Sequence, residues 1–267
     1  MDKETKIQTG DDSARAGTLY VIGIGPGSLE HLTPKAKDTL SNVDVVVGYG
    51  RYLDLIAPLT EGKEIFQTPM KGEVERCTKA LELARDGKDV AVISSGDAGI
   101  YAMAGLVIEL NDMDETSRLE TKPTIEVIPG MPAFVSAASL LGAPLMHDFA
   151  CVSLSDLLTP WELILTRLEM AAKGDFVISL YNPRSKGRTT QLPEAIELLR
   201  KFKDDKTTVG IVKNAARDDE AIRLTTLGEF PDLAETIDML TVIIIGNSTT
   251  FITKAGEMVT PRGYKGV

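Results

Sequence analysis

Three polar segments of the sequence carry groups that could bind or activate a small ligand, and each follows an apolar run. The first is the turn at residues 94–99, which lies between the apolar run 90–93 and a helical run at 101–110. A strand, a glycine-containing turn and a helix in succession form the ligand-binding corner of open α/β sheets. Ordinary connecting loops have the same succession, so the turn alone is compatible with either interpretation.

The second segment is the loop at 181–188, which holds Arg184, Lys186 and Arg188 within five residues of an otherwise acidic chain. Guanidinium and ammonium groups bind carboxylates and phosphates through charge-assisted hydrogen bonds. The loop therefore suits a polycarboxylate or phosphate ligand, and the competing interpretation is a solvated run of charge. The third segment, 153–156, places hydroxyls and a carboxylate at the end of a strand.

A glycine loop, Gly25-Pro26-Gly27, follows the first apolar run at 18–24. It resembles the dinucleotide-binding fingerprint, but that pattern requires glycine at position 28, where this chain has Ser28. The next strand also lacks the terminal acidic residue that would hold a ribose. A nicotinamide or flavin site is therefore not supported, and the loop is interpreted as a close backbone approach to another ligand or as a tight turn.

The composition restricts the classes of partner. The chain has 29 Lys and Arg against 39 Asp and Glu, a net charge of −10, which argues against a nucleic-acid-binding surface. No apolar run is long enough to span a membrane, and no export signal is recognisable, which predicts a cytoplasmic location. Cys77, Cys151, His31 and His147 are too few and too scattered to predict a metal centre.

Motifs for conventional catalysis are also missing from the sequence. It contains no Walker lysine motif, no G-x-S-x-G elbow, no HExxH and no recognisable cysteine–histidine pairing. These features fit an enzyme that binds and aligns two small molecules.

Strand candidates that alternate with helices predict an α/β protein with two domains. Residues 1–17 are polar and aperiodic and are expected to form a disordered leader. Residues 18–128 are expected to form an α/β domain with a mainly parallel sheet, and 129–250 a second one with a mixed sheet. Proline and glycine breaks at 129–132 suggest a hinge, where ligands often bind. Residues 251–267 are expected to form a C-terminal tail.

Several segments resemble one family, the tetrapyrrole (corrin/porphyrin) methylases, and within it the methyltransferases that act on C17 of precorrin-3. The matching segments are GIGPGS at 23–28, SSGDAGIYAMAG at 94–105, IPGMPAFVSAASLLGAPLMHDF at 128–149, SLSDLLTPW at 153–161, YNPRSKGR at 181–188 and TTLGE at 225–229. The resemblance implies a two-domain methylase fold, a homodimer, and S-adenosylmethionine bound in the cleft between the domains.

Site residues follow from the resemblance, position by position. It implies that the cofactor is bound by Gly96, Asp97, Ala98, Ile100, Pro132, Ala133, Tyr181 and Asn214. It places the loop of Gly25, Pro26 and Gly27 on the tetrapyrrole side of the cleft. The macrocycle carries many carboxylates, which makes Arg184, Lys186 and Arg188 candidates for binding them.

The implied reaction transfers the sulfonium methyl to C17 of precorrin-3B or cobalt-precorrin-3, with ring contraction and S-adenosylhomocysteine as product. Alignment of the two molecules would suffice for the transfer. Ring contraction would benefit from an acid or base, and the candidates are Asp97, Ser155, His31 and His147. Segments such as ERC at 75–77 favour the anaerobic, cobalt-dependent branch. The alternatives are methylation of another ring position, a diphthamide-type methylase that acts on a protein, and a non-catalytic tetrapyrrole-binding relative.

Overall fold

The computed structural model describes residues 16–114 and 122–266, so most of the predicted leader lies outside the described residues. The first half of the chain forms a five-stranded, all-parallel sheet in the order β3-β2-β4-β1-β5. Its strands are β1 (Thr18–Gly23), β2 (Val45–Tyr49), β3 (Glu64–Thr68), β4 (Val90–Ser94) and β5 (Thr124–Ile128). The predicted parallel sheet is confirmed.

Helices cover both faces of this sheet. They are α1 (Pro34–Asn42), α2 (Gly50–Leu55), α3 (Glu73–Arg85) and α4 (Ala104–Met113). One core packs side chains of α3 and α4 against the sheet, and a second packs α1 and α2 against the other face. Strand β4 is buried along its whole length, which explains why its residues 90–93 are all apolar.

The second half forms a mixed sheet, as predicted. Its helices are α5 (Ala133–Leu141), α6 (Trp161–Lys173) and α7 (Gln191–Leu199). Its strands are β6 (Gly142–Ala143), β7 (Phe149–Ser153), β8 (Val177–Tyr181), β9 (Thr208–Lys213), β10 (Ala221–Thr226), β11 (Thr241–Ile245), β12 (Phe251–Ile252) and β13 (Met258–Val259). The main sheet has the order β10-β9-β11-β8-β7, in which β7 and β8 are parallel and the other pairs are antiparallel.

Part of the segment predicted as a C-terminal tail has regular structure. Strands β12 and β13 pair with each other, and β13 pairs with β6. Met258, in β13, is fully buried in the core that contains α5. Residues 251–259 therefore pack against the second half, whereas the division of the chain into two domains stays a prediction.

Helix α4 begins at Ala104, three residues later than the apolar pattern indicates. Tyr101 has a φ of 53°, in the left-handed region that an α-helix cannot include. The Ala104 N–H instead donates to the Ala98 carbonyl at 3.0 Å. The polar turn is therefore longer than predicted, and it brings Tyr101 to the edge of the site described next. None of the described helices is long and apolar enough to cross a membrane.

Candidate functional site

A cavity lies between the two halves, at the carboxyl ends of β1 and β4. The parallel register pairs Gly23 at the end of β1 with Ser94 at the end of β4, so the loops that follow these strands are neighbours. The cavity lining includes six of the residues predicted for the cofactor and Pro26 of the glycine loop. The six are Gly96, Asp97, Ile100, Ala133, Tyr181 and Asn214. Ala98 is fully buried behind the lining, and Pro132 precedes α5.

The wall from the first half is built from backbone. Gly25 and Gly96 exchange two hydrogen bonds, of 3.0 and 2.8 Å, and both have a positive φ of about 75°. Gly130 packs so closely on Gly96 and Gly23 that a Cβ there would lie 2.2 Å from the Gly96 carbonyl oxygen. Glycine is therefore required at Gly25 and Gly96 by their positive φ and at Gly130 by the lack of room for a side chain. We call this the glycine wall.

Asp97 holds the glycine wall together. Its Oδ1 accepts from the Gly99 N–H at 2.8 Å, and its Oδ2 accepts from the Gly130 N–H at 3.0 Å. The carboxylate thus fixes its own turn and ties that turn to the segment that leads into α5. Both oxygens already have backbone partners, which makes positioning of the turn its evident role.

The opposite wall, from the second half, consists of side chains and loop residues; we call it the side-chain wall. The Tyr181 hydroxyl accepts from the Phe134 N–H at 2.9 Å, and burial raises the Tyr181 pKa well above its usual range. The phenol is therefore neutral at physiological pH and serves as a fixed polar surface. Asn182 has a φ of 50°, and its Nδ2 donates to the Ser153 Oγ at 2.9 Å.

Asn214 presents an unsatisfied acceptor in the side-chain wall. Its Nδ2 donates to the Asp219 carboxylate at 2.6 Å, which fixes the amide orientation. Its Oδ1 is buried and has no hydrogen-bond partner among the described residues. Buried carbonyl oxygens are nearly always paired, so a ligand N–H is the natural partner for this atom.

Two hydrogen-bonded contacts join the walls. The Tyr101 hydroxyl donates to the Cys151 carbonyl at 3.0 Å and accepts from the Ser153 N–H at 3.1 Å. The Arg217 Nε donates to the Pro26 carbonyl at 2.9 Å, across 191 residues of sequence. Both residues line the cavity, and neither could be identified as a site residue from the sequence. Neither lies in a pattern that singles it out, because each acts on a strand or loop distant in the chain.

The loop cations lie outside the cavity lining. Arg184 donates to the Ala234 carbonyl and to the Glu235 carboxylate, at 2.9 and 2.5 Å. Arg188 is buried and donates to the Asn182 carbonyl at 2.8 Å. Lys186 is exposed. The structure thus gives two of the three a partner within the protein, and a role of this loop in substrate binding stays a prediction.

Of the four candidate acids and bases, only Asp97 lines the cavity. The Ser155 hydroxyl lies 3.4 Å from Arg188, behind the side-chain wall. His31 packs beneath Gly25, and its Nδ1 is buried without a partner among the described residues. His147 is half-exposed, and its Nδ1 accepts from the Asp148 N–H. Within residues 16–114 and 122–266, no cluster of His, Cys, Asp and Glu is arranged to hold a metal ion.

The sequence of most of this chain matches the model of one known protein family. The model of the Tetrapyrrole (Corrin/Porphyrin) Methylases matches residues 18–231. The chain belongs to this family. The predicted family and fold class are thereby confirmed, and the chain is a methyltransferase of the tetrapyrrole methylase type.

Individual relatives cover almost the whole chain. A probable cobalt-factor III C(17)-methyltransferase of Salmonella typhimurium is 50% identical over 92% of this chain and 99% of its own length. A precorrin-3B C(17)-methyltransferase of a Sinorhizobium species is 39% identical over 94% and 98%. The crystal structure of the methyltransferase CobJ superposes with a TM-score of 0.86 at 36% identity, over 92% of this chain and all of that one.

A more distant structure shares the fold. The uroporphyrin-III C-methyltransferase of Thermus thermophilus has a TM-score of 0.64 at 23% identity, over 86% of this chain and 92% of that one. That protein was crystallised in complex with S-adenosylhomocysteine.

Proposed function

We propose that the chain uses S-adenosylmethionine to methylate C17 of a precorrin-3-level macrocycle, with associated ring contraction, in cobalamin synthesis. The observation that carries the proposal is the single cavity that gathers six predicted cofactor residues, in a chain 50% identical to a relative named for this reaction. The relative named for cobalt-factor III is more similar than the one named for precorrin-3B, which favours the cobalt-containing substrate.

The residues of the cavity fit S-adenosylmethionine. The glycine wall lets backbone approach a ligand, and the buried Asn214 Oδ1 would accept from an N–H of the adenine or amino group. The rings of Tyr101 and Tyr181, whose centroids are 5.6 Å apart, form an apolar surface in the cavity lining. When bound, S-adenosylmethionine supplies a methyl group that its positive sulfur already activates.

The protein then has to orient the two molecules and exclude water. Asp97 fixes the turn on one side, while Tyr101 and Arg217 hold the opposite wall at a set distance. The two walls thus form one binding surface. Methyl transfer on this surface needs no nucleophilic side chain of the protein. For ring contraction, Asp97 is the candidate acid or base that lines the cavity, with Ser155, His31 and His147 lying farther from it.

Formation of S-adenosylhomocysteine tests this proposal. The purified chain is incubated with S-adenosylmethionine and with either cobalt-factor III or precorrin-3B, and S-adenosylhomocysteine is quantified over time. We expect formation with both macrocycles and a higher kcat/KM for the cobalt compound. Binding of S-adenosylhomocysteine without turnover of either macrocycle would instead support the non-catalytic alternative. Turnover restricted to another precorrin would support methylation at a different ring position.

The homodimer and the cytoplasmic location are proposed from the family resemblance and the composition. Light scattering on the purified chain tests the first, with twice the chain mass of 28.8 kDa as the expected result. Cell fractionation tests the second.

A further inference from the structure

The side-chain wall holds a cation that the family-based prediction did not include. Arg217 is the sole lysine or arginine among the described residues that line the cavity. The chain as a whole carries a charge of −10, which repels an anionic ligand at long range. Attraction of a carboxylate into this cavity therefore depends on a local cation.

Three other arginines of the described residues already have partners within the protein. Arg76 donates to the Thr68 hydroxyl at 2.9 Å and to the Pro69 carbonyl at 3.2 Å. Arg184 and Arg188 are bonded within the second half, as described above. Each of these guanidinium groups donates at least two hydrogen bonds to atoms of the protein, whereas that of Arg217 donates one.

The guanidinium of Arg217 is held at one edge only. Its Nε donates to the Pro26 carbonyl. Its Cγ packs against Gly27, where an added Cβ would lie 2.5 Å from it. Its Nη1 and Nη2 form no hydrogen bond or ion pair with the described residues. Glycine at position 27 thus makes room for the arginine stem, and the terminal nitrogens keep their capacity to donate.

None of the acidic residues that follow Arg217 forms an ion pair with it. Asp219 accepts from Asn214, and Glu220 accepts from the Ala216 N–H at 2.7 Å. Asp218 is exposed. A fixed guanidinium whose two terminal nitrogens are free to donate can bind a carboxylate with both oxygens.

We propose that Arg217 binds a carboxylate of a ligand in the cleft. This inference rests on the proposed function, which offers two sources of that group. One is an acidic side chain of the tetrapyrrole, and the other is the carboxylate of the methionine part of the cofactor. The Pro26 contact gives Arg217 its position, so one residue both joins the two walls and recognises the anion.

Three variants separate these roles. Arg217→Gln removes the charge but keeps an N–H that can reach the Pro26 carbonyl, and Arg217→Lys keeps the charge without the planar fork. Arg223→Gln is the matched control, because Arg223 is an exposed residue of β10 outside the cavity lining. For each protein, calorimetry gives the Kd of S-adenosylhomocysteine and of its decarboxylated analogue. Steady-state kinetics at saturating S-adenosylmethionine gives the KM of the macrocycle.

The expected result for Arg217→Gln is a loss of affinity of about tenfold to a hundredfold for the ligand whose carboxylate it binds. A raised macrocycle KM with unchanged S-adenosylhomocysteine Kd assigns the carboxylate to the tetrapyrrole. Weaker binding of S-adenosylhomocysteine but not of its decarboxylated analogue assigns it to the cofactor. In either case Arg217→Lys recovers part of the loss, and Arg223→Gln changes each value by less than about twofold.

Two results would overturn the inference. One is unchanged affinity for both ligands, and the other is equal weakening of S-adenosylhomocysteine and its decarboxylated analogue, which indicates a purely structural role. Wild-type protein that neither binds S-adenosylhomocysteine nor turns over a macrocycle would refute the proposed function itself, and this outcome is separate from both.

Discussion

The two walls of the cavity are constructed differently. The glycine wall is backbone packed on backbone: Gly96 is hydrogen-bonded to Gly25 and packs against Gly130, and Asp97 ties its own turn to Gly130. The side-chain wall presents the side chains of residues such as Tyr181 and Arg217, carried on strand ends and loops. The first wall thus offers a ligand its shape and its backbone groups, whereas the second offers charge and aromatic surface.

This difference predicts how each wall responds to substitution. On the glycine wall a side chain either collides with main chain, as at Gly130, or is strained by a positive φ, as at Gly25 and Gly96. On the side-chain wall an altered residue changes a single contact and leaves the fold in place. Variants of the first wall are therefore expected to act on stability and those of the second on ligand binding.

The largest effect is expected from Gly130→Ala. Its Cβ would lie 2.2 Å from the Gly96 carbonyl oxygen and 2.6 Å from Gly23, so the free energy of unfolding should fall by about 3 kcal/mol or more. Urea denaturation measures the change. Gly105→Ala is the matched control, because a Cβ there meets nothing within 4 Å, and alanine in α4 should stabilise by up to about 1 kcal/mol. Equal effects of the two substitutions would contradict the close packing of the wall.

Asp97→Ala should come next, with a loss of about 2 kcal/mol. It leaves the N–H groups of Gly99 and Gly130 without their acceptor, and the turn that they hold should also bind S-adenosylhomocysteine more weakly. Urea denaturation and calorimetry measure the two losses. Asp54→Ala, at an exposed position of α2, should change neither. Unchanged cofactor affinity in Asp97→Ala would remove this residue from the site.

Tyr101→Phe tests the contact between the walls. The variant keeps the ring against Tyr181 but loses both hydrogen bonds to β7, which should lower the free energy of unfolding by about 1 kcal/mol. Tyr264→Phe, at a residue 68% exposed, is the control for loss of a hydroxyl. If both variants unfold at the same urea concentration as the wild type, the hydroxyl of Tyr101 does not join the walls.

Each half also contains a thiol shielded from water, the buried Cys77 and the partly buried Cys151, which predicts a dependence of stability on pH. Burial raises the pKa of Cys77 and of Cys151 from 9.0 to about 11. The folded state therefore keeps these protons where the unfolded chain releases them. The stabilisation is complete below pH 9 and is lost as the pH rises towards 11.

The free energy of unfolding of Cys77→Ala should consequently fall less between pH 8 and pH 10.5 than that of the wild type, and urea denaturation at both values tests this. Cys151→Ala provides the same measurement for the second half. Burial also raises the pKa of Tyr52, Tyr101 and Tyr181, and these tyrosines stay in place in Cys77→Ala. In Cys151→Ala the pKa of Tyr101 and of Tyr181 should also fall, because the Cys151 charge raises both. An undiminished pH dependence in both cysteine variants would contradict the raised thiol pKa values.

The strands of the sheet interiors could be predicted from the sequence, and two edge strands could not. Strand β4 is a run of apolar residues because both of its faces are buried. Strands β3 and β10 lie at sheet edges with mostly exposed residues, so they show neither an apolar run nor a regular alternation. Both strands therefore lack the apolar pattern that burial imposes on the interior strands.

The same distinction holds for the site. Glycines in short motifs indicate a close backbone approach, and the Gly96 turn could be identified from local sequence alone. The importance of Arg217 depends on Pro26, 191 residues away, and no local pattern encodes that contact. Conversely, the charge of Arg184 is conspicuous in the sequence, but its ion pair with Glu235 becomes visible only once the chain is folded.

We infer that this cavity transfers a methyl group to one carbon of a macrocycle. The most direct test incubates the wild-type chain with cobalt-factor III and S-adenosylmethionine whose methyl carbon is ¹³C, followed by ¹³C NMR of the isolated product. We expect a single labelled methyl group on C17 of a contracted ring. A label on any other carbon, or a product without label from a chain that binds S-adenosylhomocysteine, would contradict it.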